Sequence, residues 1–146
     1  MFIIFATLFH LFSFQFPTNV FAISSTHLVL IHGSNDNCFT GSLTYNFAEQ
    51  IVNLTTTKTH KTTFTCLKLA KNVKTESISS IMTSIESQMK IICSEMKKQV
   101  VLDEGIDKII LIGLSQGGLQ ARAVLAVCPN ALPNERKFNS LISIGN

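Results

Sequence analysis

Ser115 lies in a run whose residue types and spacing fit nucleophilic chemistry. The run Gly113-Leu114-Ser115-Gln116-Gly117 has the Gly-x-Ser-x-Gly spacing that places a serine on a sharp turn between a strand and a helix. Such a turn holds the serine at positive φ and brings the residues two before and two after it close together, so small residues are needed there. Gly113 and Gly117 meet that need. The pattern predicts that the Ser115 hydroxyl attacks an acyl group.

The residues around this run supply the strand and the helix that the turn requires. Residues 108–112 are rich in β-branched side chains and follow Gly105, which predicts a buried strand. Residues 116–127 combine small and apolar side chains in a pattern typical of a helix. A glycine-rich strand-to-helix turn without catalysis is the alternative interpretation, and the flanking elements favour the catalytic one.

A second loop is expected to face Ser115 across the end of the sheet. Residues 28–31 have the apolar pattern of a buried strand, and residues 32–38 after them are rich in turn formers. Hydrolases with this turn stabilise the oxyanion with the N–H of the residue after the nucleophile and with an N–H from the early strand-to-helix loop. We therefore expect the N–H groups of Gln116 and Ser34 to form the oxyanion hole. His32 is interpreted as a residue that shapes the loop rather than as the general base.

The remaining sequence alternates between helix and strand patterns. Residues 64–69 and 138–144 are strand candidates, which gives four strands with the two above. Two sets of apolar residues recur at helical spacing, and we expect the second, methionine-rich set to pack on the sheet rather than bind a partner; they are Leu43, Phe47, Ile51 and Leu54, and Ile78, Ile81, Met82, Ile85, Met89, Ile92 and Met96. With the helix after Ser115, this predicts three helices on a largely parallel sheet in an α/β fold.

The order and spacing of these motifs resemble those of palmitoyl-protein thioesterases, which are α/β-hydrolases. The resemblance runs from about Thr26 to Gly145 and is carried by Leu30-Ile31-His32-Gly33 with Asp36 and Cys38, Gly113 to Gly118, Arg122-Ala123-Val124, Cys128-Pro129 and Leu141 to Gly145. It implies an α/β-hydrolase-type three-layer sandwich with a largely parallel sheet. It also implies hydrolysis of long-chain acyl thioesters on protein cysteines, with Ser115 as nucleophile and the Ser34 and Gln116 amides as oxyanion hole. The family usually has a glycine where this chain has Asn35, a residue type that tolerates positive φ.

The resemblance also implies an aspartate and a histidine after the serine. No histidine and no aspartate follow Ser115 in the sequence. We therefore expect residues 23–146 to be the N-terminal part of an α/β-hydrolase domain, truncated after the strand that follows the nucleophile helix, with little or no activity by itself. Two alternatives stay open: a lipase or other ester hydrolase, and a non-catalytic truncated paralogue that binds acyl chains or a partner.

The amino terminus has the features of a secretory signal peptide. Residues 2–16 are almost wholly apolar, and Val20-Phe21-Ala22 fits a small-residue cleavage site. We predict that residues 1–22 are removed and that the protein enters the secretory pathway, with a lysosomal or extracellular destination. An uncleaved anchor is the alternative, but the segment is interrupted by polar residues and is short for a stable membrane span.

Four cysteines fit an exported protein, and they could pair in three ways. Spacing does not choose among the pairings. The resemblance implies a disulfide between Cys93 and Cys128, and it leaves Cys38 and Cys66 unassigned; Cys66 could equally be a small buried residue. Because no Cys-x-x-Cys pair occurs, we expect no metal site. We also expect no cofactor.

Composition and one sequon complete the expectations about partners. Hydrophobic residues make up 46% of the chain and charged residues 14%, which suits a core-forming exported domain. Lysines 58, 61, 68, 71 and 74 alternate with threonine and apolar residues, which indicates a solvated surface and not a nucleic-acid site. Asn53-Leu54-Thr55 is a glycosylation sequon. The expected partners are S-acylated proteins or fatty-acyl thioesters.

Overall fold

All four strands run parallel in the computed structural model, which describes residues 23–145. The predicted signal peptide, residues 1–22, lies outside the described residues. The sheet has the order β2-β1-β3-β4. Its strands are β1 (Ser24–Ile31), β2 (His60–Cys66), β3 (Lys108–Leu114) and β4 (Ser140–Ile144). The predicted α/β fold with a largely parallel sheet is confirmed.

Helices cover both faces of this sheet. They are α1 (Leu43–Thr55), α2 (Val73–Met82), α3 (Ile85–Gln99) and α4 (Gln116–Val127), and a short 3₁₀ turn (Pro133–Glu135) precedes β4. Successive side chains of a strand point to opposite faces. Accordingly, Leu28 and Leu30 of β1 belong to one apolar core with α1, whereas Val29 and Ile31 belong to a second core with α3 and α4.

The register of β1 and β3 brings two loops together at one edge of the sheet. Leu30 pairs with Ile112, and Ile31, the last residue of β1, pairs with Gly113. Because both strands are parallel, the loop after β1 and the turn after β3 leave the sheet side by side. Ligands of open α/β sheets bind at this carboxyl edge.

The prediction of one continuous helix before the Ser115 strand is wrong. The chain forms two helices there, so residues 23–145 contain four α-helices and not three. Ser84 caps the second of them, because its hydroxyl accepts a hydrogen bond from the Ser87 N–H. Only the second half of the apolar stripe packs in the core, at Met89, Ile92 and Met96, whereas the first half is exposed, at Ile78, Ile81, Met82 and Ile85.

Two disulfides join separate elements of the fold. Cys38 in the loop after β1 is bonded to Cys66 at the end of β2. Cys93 of α3 is bonded to Cys128 at the end of α4, which is the pairing that the resemblance implies. Among residues 23–145, no helix is long and apolar enough to cross a membrane.

Candidate active site

Ser115 occupies a strained turn between β3 and α4. Its φ of 50° and ψ of −124° lie in a backbone region that residues other than glycine rarely adopt. The Ser115 N–H donates to the carbonyl oxygen of Ile144 at 2.7 Å, and the Ser115 carbonyl accepts from the Gly118 N–H at 2.8 Å. The residue is exposed. The turn therefore presents the hydroxyl to solvent while both backbone groups are held.

Two glycines make this turn possible. A Cβ on Gly113 would lie 2.2 Å from the Gly117 carbonyl oxygen, and a Cβ on Gly117 would lie 2.3 Å from the Ile31 carbonyl oxygen. Real Cβ atoms do not approach backbone oxygens that closely, so neither position has room for a side chain. The close packing seats the start of α4 on the ends of β1 and β3.

The loop after β1 lies directly against Ser115. A Cβ on Gly33 would be 3.0 Å from the Ser115 Cβ. The next residue, Ser34, donates a hydrogen bond from its hydroxyl to Oε1 of Gln116. The structure thus brings together the three residues of the predicted site, Ser34, Ser115 and Gln116. Asn35 has a φ of 58°, the conformation that a glycine would adopt freely at this point of the loop.

The start of α4 gives this site a positive electrostatic character. The first N–H groups of a helix have no partner within the helix, and Gln116 is the first residue of α4. The helix dipole adds partial positive charge at the same end, and the first turn of α4 carries no acidic residue. Hydrogen-bond donors so placed stabilise negative charge that develops near Ser115.

His32 is buried, and its ring nitrogens lie near Gly33 and Glu76. Only 2% of its surface is exposed, its Nδ1 donates to the Gly33 carbonyl oxygen at 2.8 Å, and its Nε2 lies 3.0 Å from Oε1 of Glu76. In the described part of the chain, no histidine is hydrogen-bonded to Ser115. This position agrees with the interpretation that His32 shapes the loop.

Glu76 is the residue of this region that sequence reasoning missed. It lies on α2, is fully buried and contacts the imidazole of His32. One signal was available: Glu76 is the only acidic residue between residues 51 and 85, a stretch that contains five lysines. The pattern predicts a special environment for that carboxylate, but not which residue it contacts.

Asp36 joins the loop after β1 to the start of α1. Its Oδ2 accepts hydrogen bonds from the N–H and the hydroxyl of Thr44, in the first turn of α1. The interaction ties the loop to the helix that follows it, and carboxylates are favourable at this end of a helix. The role of Asp36 in the structure is therefore to hold the loop.

The other predicted residues lie on other elements. Asn53 is exposed in the last turn of α1, where a glycan would extend into solvent. The Cys93–Cys128 disulfide joins α3 to the end of α4, the helix that begins beside Ser115. Within the described ranges, no group of three histidine, cysteine, aspartate or glutamate residues could hold a metal ion.

Comparison with known protein families finds a match over most of the chain. Residues 27–146 match the sequence profile of the family described as palmitoyl protein thioesterase. A search of curated proteins finds no match to the chain. The matched segment includes β1, the loop after it, Ser115 and α4.

Proposed function

The chain belongs to the palmitoyl protein thioesterase family, and we propose that Ser115 is its nucleophile in the hydrolysis of long-chain acyl thioesters on protein cysteines. The observation that carries this proposal is the conformation of Ser115: an exposed hydroxyl at φ 50°, on the turn that leads into α4. Strained positions of this kind persist where the surrounding structure fixes them, and they concentrate at active sites.

The reaction would proceed in two acyl transfers. The Ser115 Oγ attacks the thioester carbonyl carbon, its proton passes to a general base, and the carbonyl oxygen becomes an oxyanion facing the N–H groups of Ser34 and Gln116. Collapse of this intermediate breaks the C–S bond, and the cysteine sulfur leaves as a thiol after taking up the proton. Water then attacks the acyl-serine and releases the fatty acid. The mechanism requires a general base, which residues 23–145 do not place at Ser115.

The proposal is tested by the hydrolysis of an S-palmitoylated peptide by the protein expressed from its complete reading frame. We expect Ser115→Ala to lower kcat by about 10⁴-fold or more, whereas Ser140→Ala, which changes an exposed serine on β4, keeps the wild-type rate. Retention of activity in Ser115→Ala would refute the assignment. Faster hydrolysis of an unactivated palmitoyl ester of serine or glycerol than of the thioester would instead favour an oxygen ester as the substrate.

We also propose that the protein is exported and glycosylated. Two disulfides are compatible with an oxidising compartment, and the exposed position of Asn53 suits glycan attachment. N-terminal sequencing of the secreted or lysosomal protein should begin at Ile23, after removal of residues 1–22. An endoglycosidase should increase the gel mobility of the wild type but not that of Asn53→Gln. A mature protein that begins at Met1 would refute the signal peptide.

A further inference from the structure

Glu76 differs from the other described residues of α2. This helix exposes several of its apolar side chains, at Val73, Ile78, Ile81 and Met82, yet it buries a carboxylate completely. Burial of a charged group without partners is very unfavourable. The position of Glu76 must therefore be supported by specific contacts.

Those contacts join three segments of the chain. Oε1 of Glu76 accepts a hydrogen bond from the Cys38 N–H at 3.2 Å, and Oε2 accepts one from the Ala70 N–H at 3.3 Å. Oε1 also lies 3.0 Å from Nε2 of His32, at ion-pair distance although not aligned as a hydrogen bond. Glu76 thus contacts the loop after β1 on both sides of Ser34, at His32 and at Cys38.

The hydrogen bond of His32 acts on the peptide group that carries the Ser34 N–H. His32 Nδ1 is the donor because the Gly33 carbonyl oxygen can only accept. The Gly33 carbonyl and the Ser34 N–H belong to one planar peptide group, and they point in opposite directions in the trans form. A bond that fixes the Gly33 oxygen therefore also fixes the direction of the Ser34 N–H.

We propose that Glu76 is a positioning residue, which acts through His32 to aim the Ser34 N–H at the oxyanion of the substrate. The inference rests on the proposed function, because it assigns Ser34 to the oxyanion hole. Glu76 holds the imidazole from beneath, the imidazole holds the Gly33 carbonyl, and the Ser34 N–H is thereby directed to the side of the loop that faces away from the imidazole.

The first test compares Glu76→Gln with Glu86→Gln in the protein expressed from its complete reading frame. Cys38 and Ala70 donate to different oxygens of Glu76. Glu76→Gln replaces one of these oxygens by an amide NH2, which only donates, so one of the two N–H groups loses its acceptor. Glu86 is an exposed residue that pairs with Lys90 at 3.2 Å. At a temperature where thermal unfolding shows every variant to be folded, we expect Glu76→Gln to lower kcat by about 10-fold to 100-fold with KM unchanged. Glu86→Gln should match the wild type. A kcat of Glu76→Gln within about twofold of wild type would overturn the proposal.

A double-variant cycle separates positioning through His32 from a general loss of packing. His32→Gln should lower kcat by a similar factor, and the double variant should be no slower than the slower single variant, because both changes break one chain of contacts. Effects that multiply would overturn the proposal. If Glu76→Gln does not fold, Glu76→Asp replaces it, since aspartate keeps both acceptor oxygens and withdraws them from His32 by one methylene.

Amide hydrogen exchange tests the positioning without reference to catalysis. The Asp36 N–H donates to the same Gly33 carbonyl at 3.4 Å and makes no bond to Glu76, so it reports on the loop. We expect its exchange to be about tenfold faster in Glu76→Gln than in Glu86→Gln. Faster exchange only at Cys38 and Ala70, which lose an acceptor directly, would overturn the positioning role. If Ser115→Ala retains hydrolysis, the proposed function fails, and this measurement alone still decides whether Glu76 fixes the loop.

Discussion

Gly113 contacts the backbone of Gly117 so closely that a Cβ on Gly113 would lie 2.2 Å from the Gly117 carbonyl oxygen. Gly117 in turn faces the carbonyl oxygens of Ile31 and His32, at 2.3 Å and 2.6 Å from the Cβ that it lacks. The end of β3, the start of α4 and the end of β1 therefore meet as backbone against backbone. The residues on both sides of Ser115 are thus packed against each other and against the end of β1, with no space for a side chain at Gly113 or Gly117.

This contact predicts that alanine is not tolerated at either glycine. We expect Gly113→Ala and Gly117→Ala each to lower the free energy of unfolding by about 3 kcal/mol or more, because the neighbouring atoms are backbone and cannot rotate away. Gly105→Ala is the matched control, since a Cβ there meets nothing within 4 Å. Urea unfolding of the three variants measures the difference, and equal losses at all three positions would contradict the steric argument.

The strain at Ser115 predicts that glycine is more stable than alanine at this position. With φ at 50° and ψ at −124°, Ser115→Gly should be more stable than Ser115→Ala by about 1 to 2 kcal/mol, because alanine retains the Cβ that disfavours this conformation. Both variants lose the hydroxyl, so the comparison isolates backbone strain. Chemical denaturation of the pair gives the answer, and equal midpoints would mean that the turn stores no strain.

The local parts of this architecture could be predicted from sequence, whereas the long-range contacts could not. The turn around Ser115 depends on residues within five positions of one another, and the strand and helix beside it have clear patterns. The break between α2 and α3 was missed because the apolar spacing continues across Ser84, whose capping role depends on where the helices pack. The contact of Glu76 with His32 and the Cys38–Cys66 disulfide join distant parts of the chain, and no spacing rule selects such partners.

His27 predicts that acid destabilises the fold. Its ring lies between the hydroxyls of Thr63 and Thr65, at 2.8 Å and 3.0 Å. Burial lowers the pKa of His27 below its ordinary value of 6.5, against a smaller opposing effect of Asp103. As the pH falls through 6.5, the unfolded chain binds a proton that the folded chain does not, so the free energy of unfolding decreases until the folded pKa is reached.

The measurement is urea unfolding of the wild type and His27→Gln between pH 7.5 and about pH 5, the range in which an unfolded histidine titrates. The wild type should lose more stability over this range than His27→Gln, whatever their absolute stabilities. Above the unfolded pKa the histidine is neutral in both states, so the two curves should run parallel there. Identical slopes throughout the range would contradict the role of His27.

The two disulfides predict different effects on catalysis. Replacement of either cysteine pair by alanine should lower the free energy of unfolding by about 2 to 4 kcal/mol, because the closed loops are similar in length, with 28 and 35 residues of separation. Only the Cys38–Cys66 bond anchors the loop that carries Ser34. We expect its loss to lower kcat of the folded enzyme, whereas the Cys93–Cys128 variant should keep kcat while it remains folded. The reverse order would contradict the assignment.

The residues around Ser115 also predict what residues 23–146 can do when they are expressed alone. The three histidines of this segment are hydrogen-bonded elsewhere: His27 to threonine hydroxyls, His32 to the Gly33 carbonyl and His60 to Ser24. Under the proposed function, the segment holds the proposed oxyanion donors, Ser34 and Gln116, but none of its histidines lies at Ser115 as a general base. We expect it to accelerate palmitoyl thioester hydrolysis by at most about 10³ to 10⁴ over water. Added imidazole should raise this rate in the unsubstituted segment and leave Ser115→Ala unchanged, because an external base can take the proton that no described histidine accepts. A turnover near 10 s⁻¹, about that of an ordinary enzyme, would show instead that a group of this segment acts as the general base at Ser115 in solution.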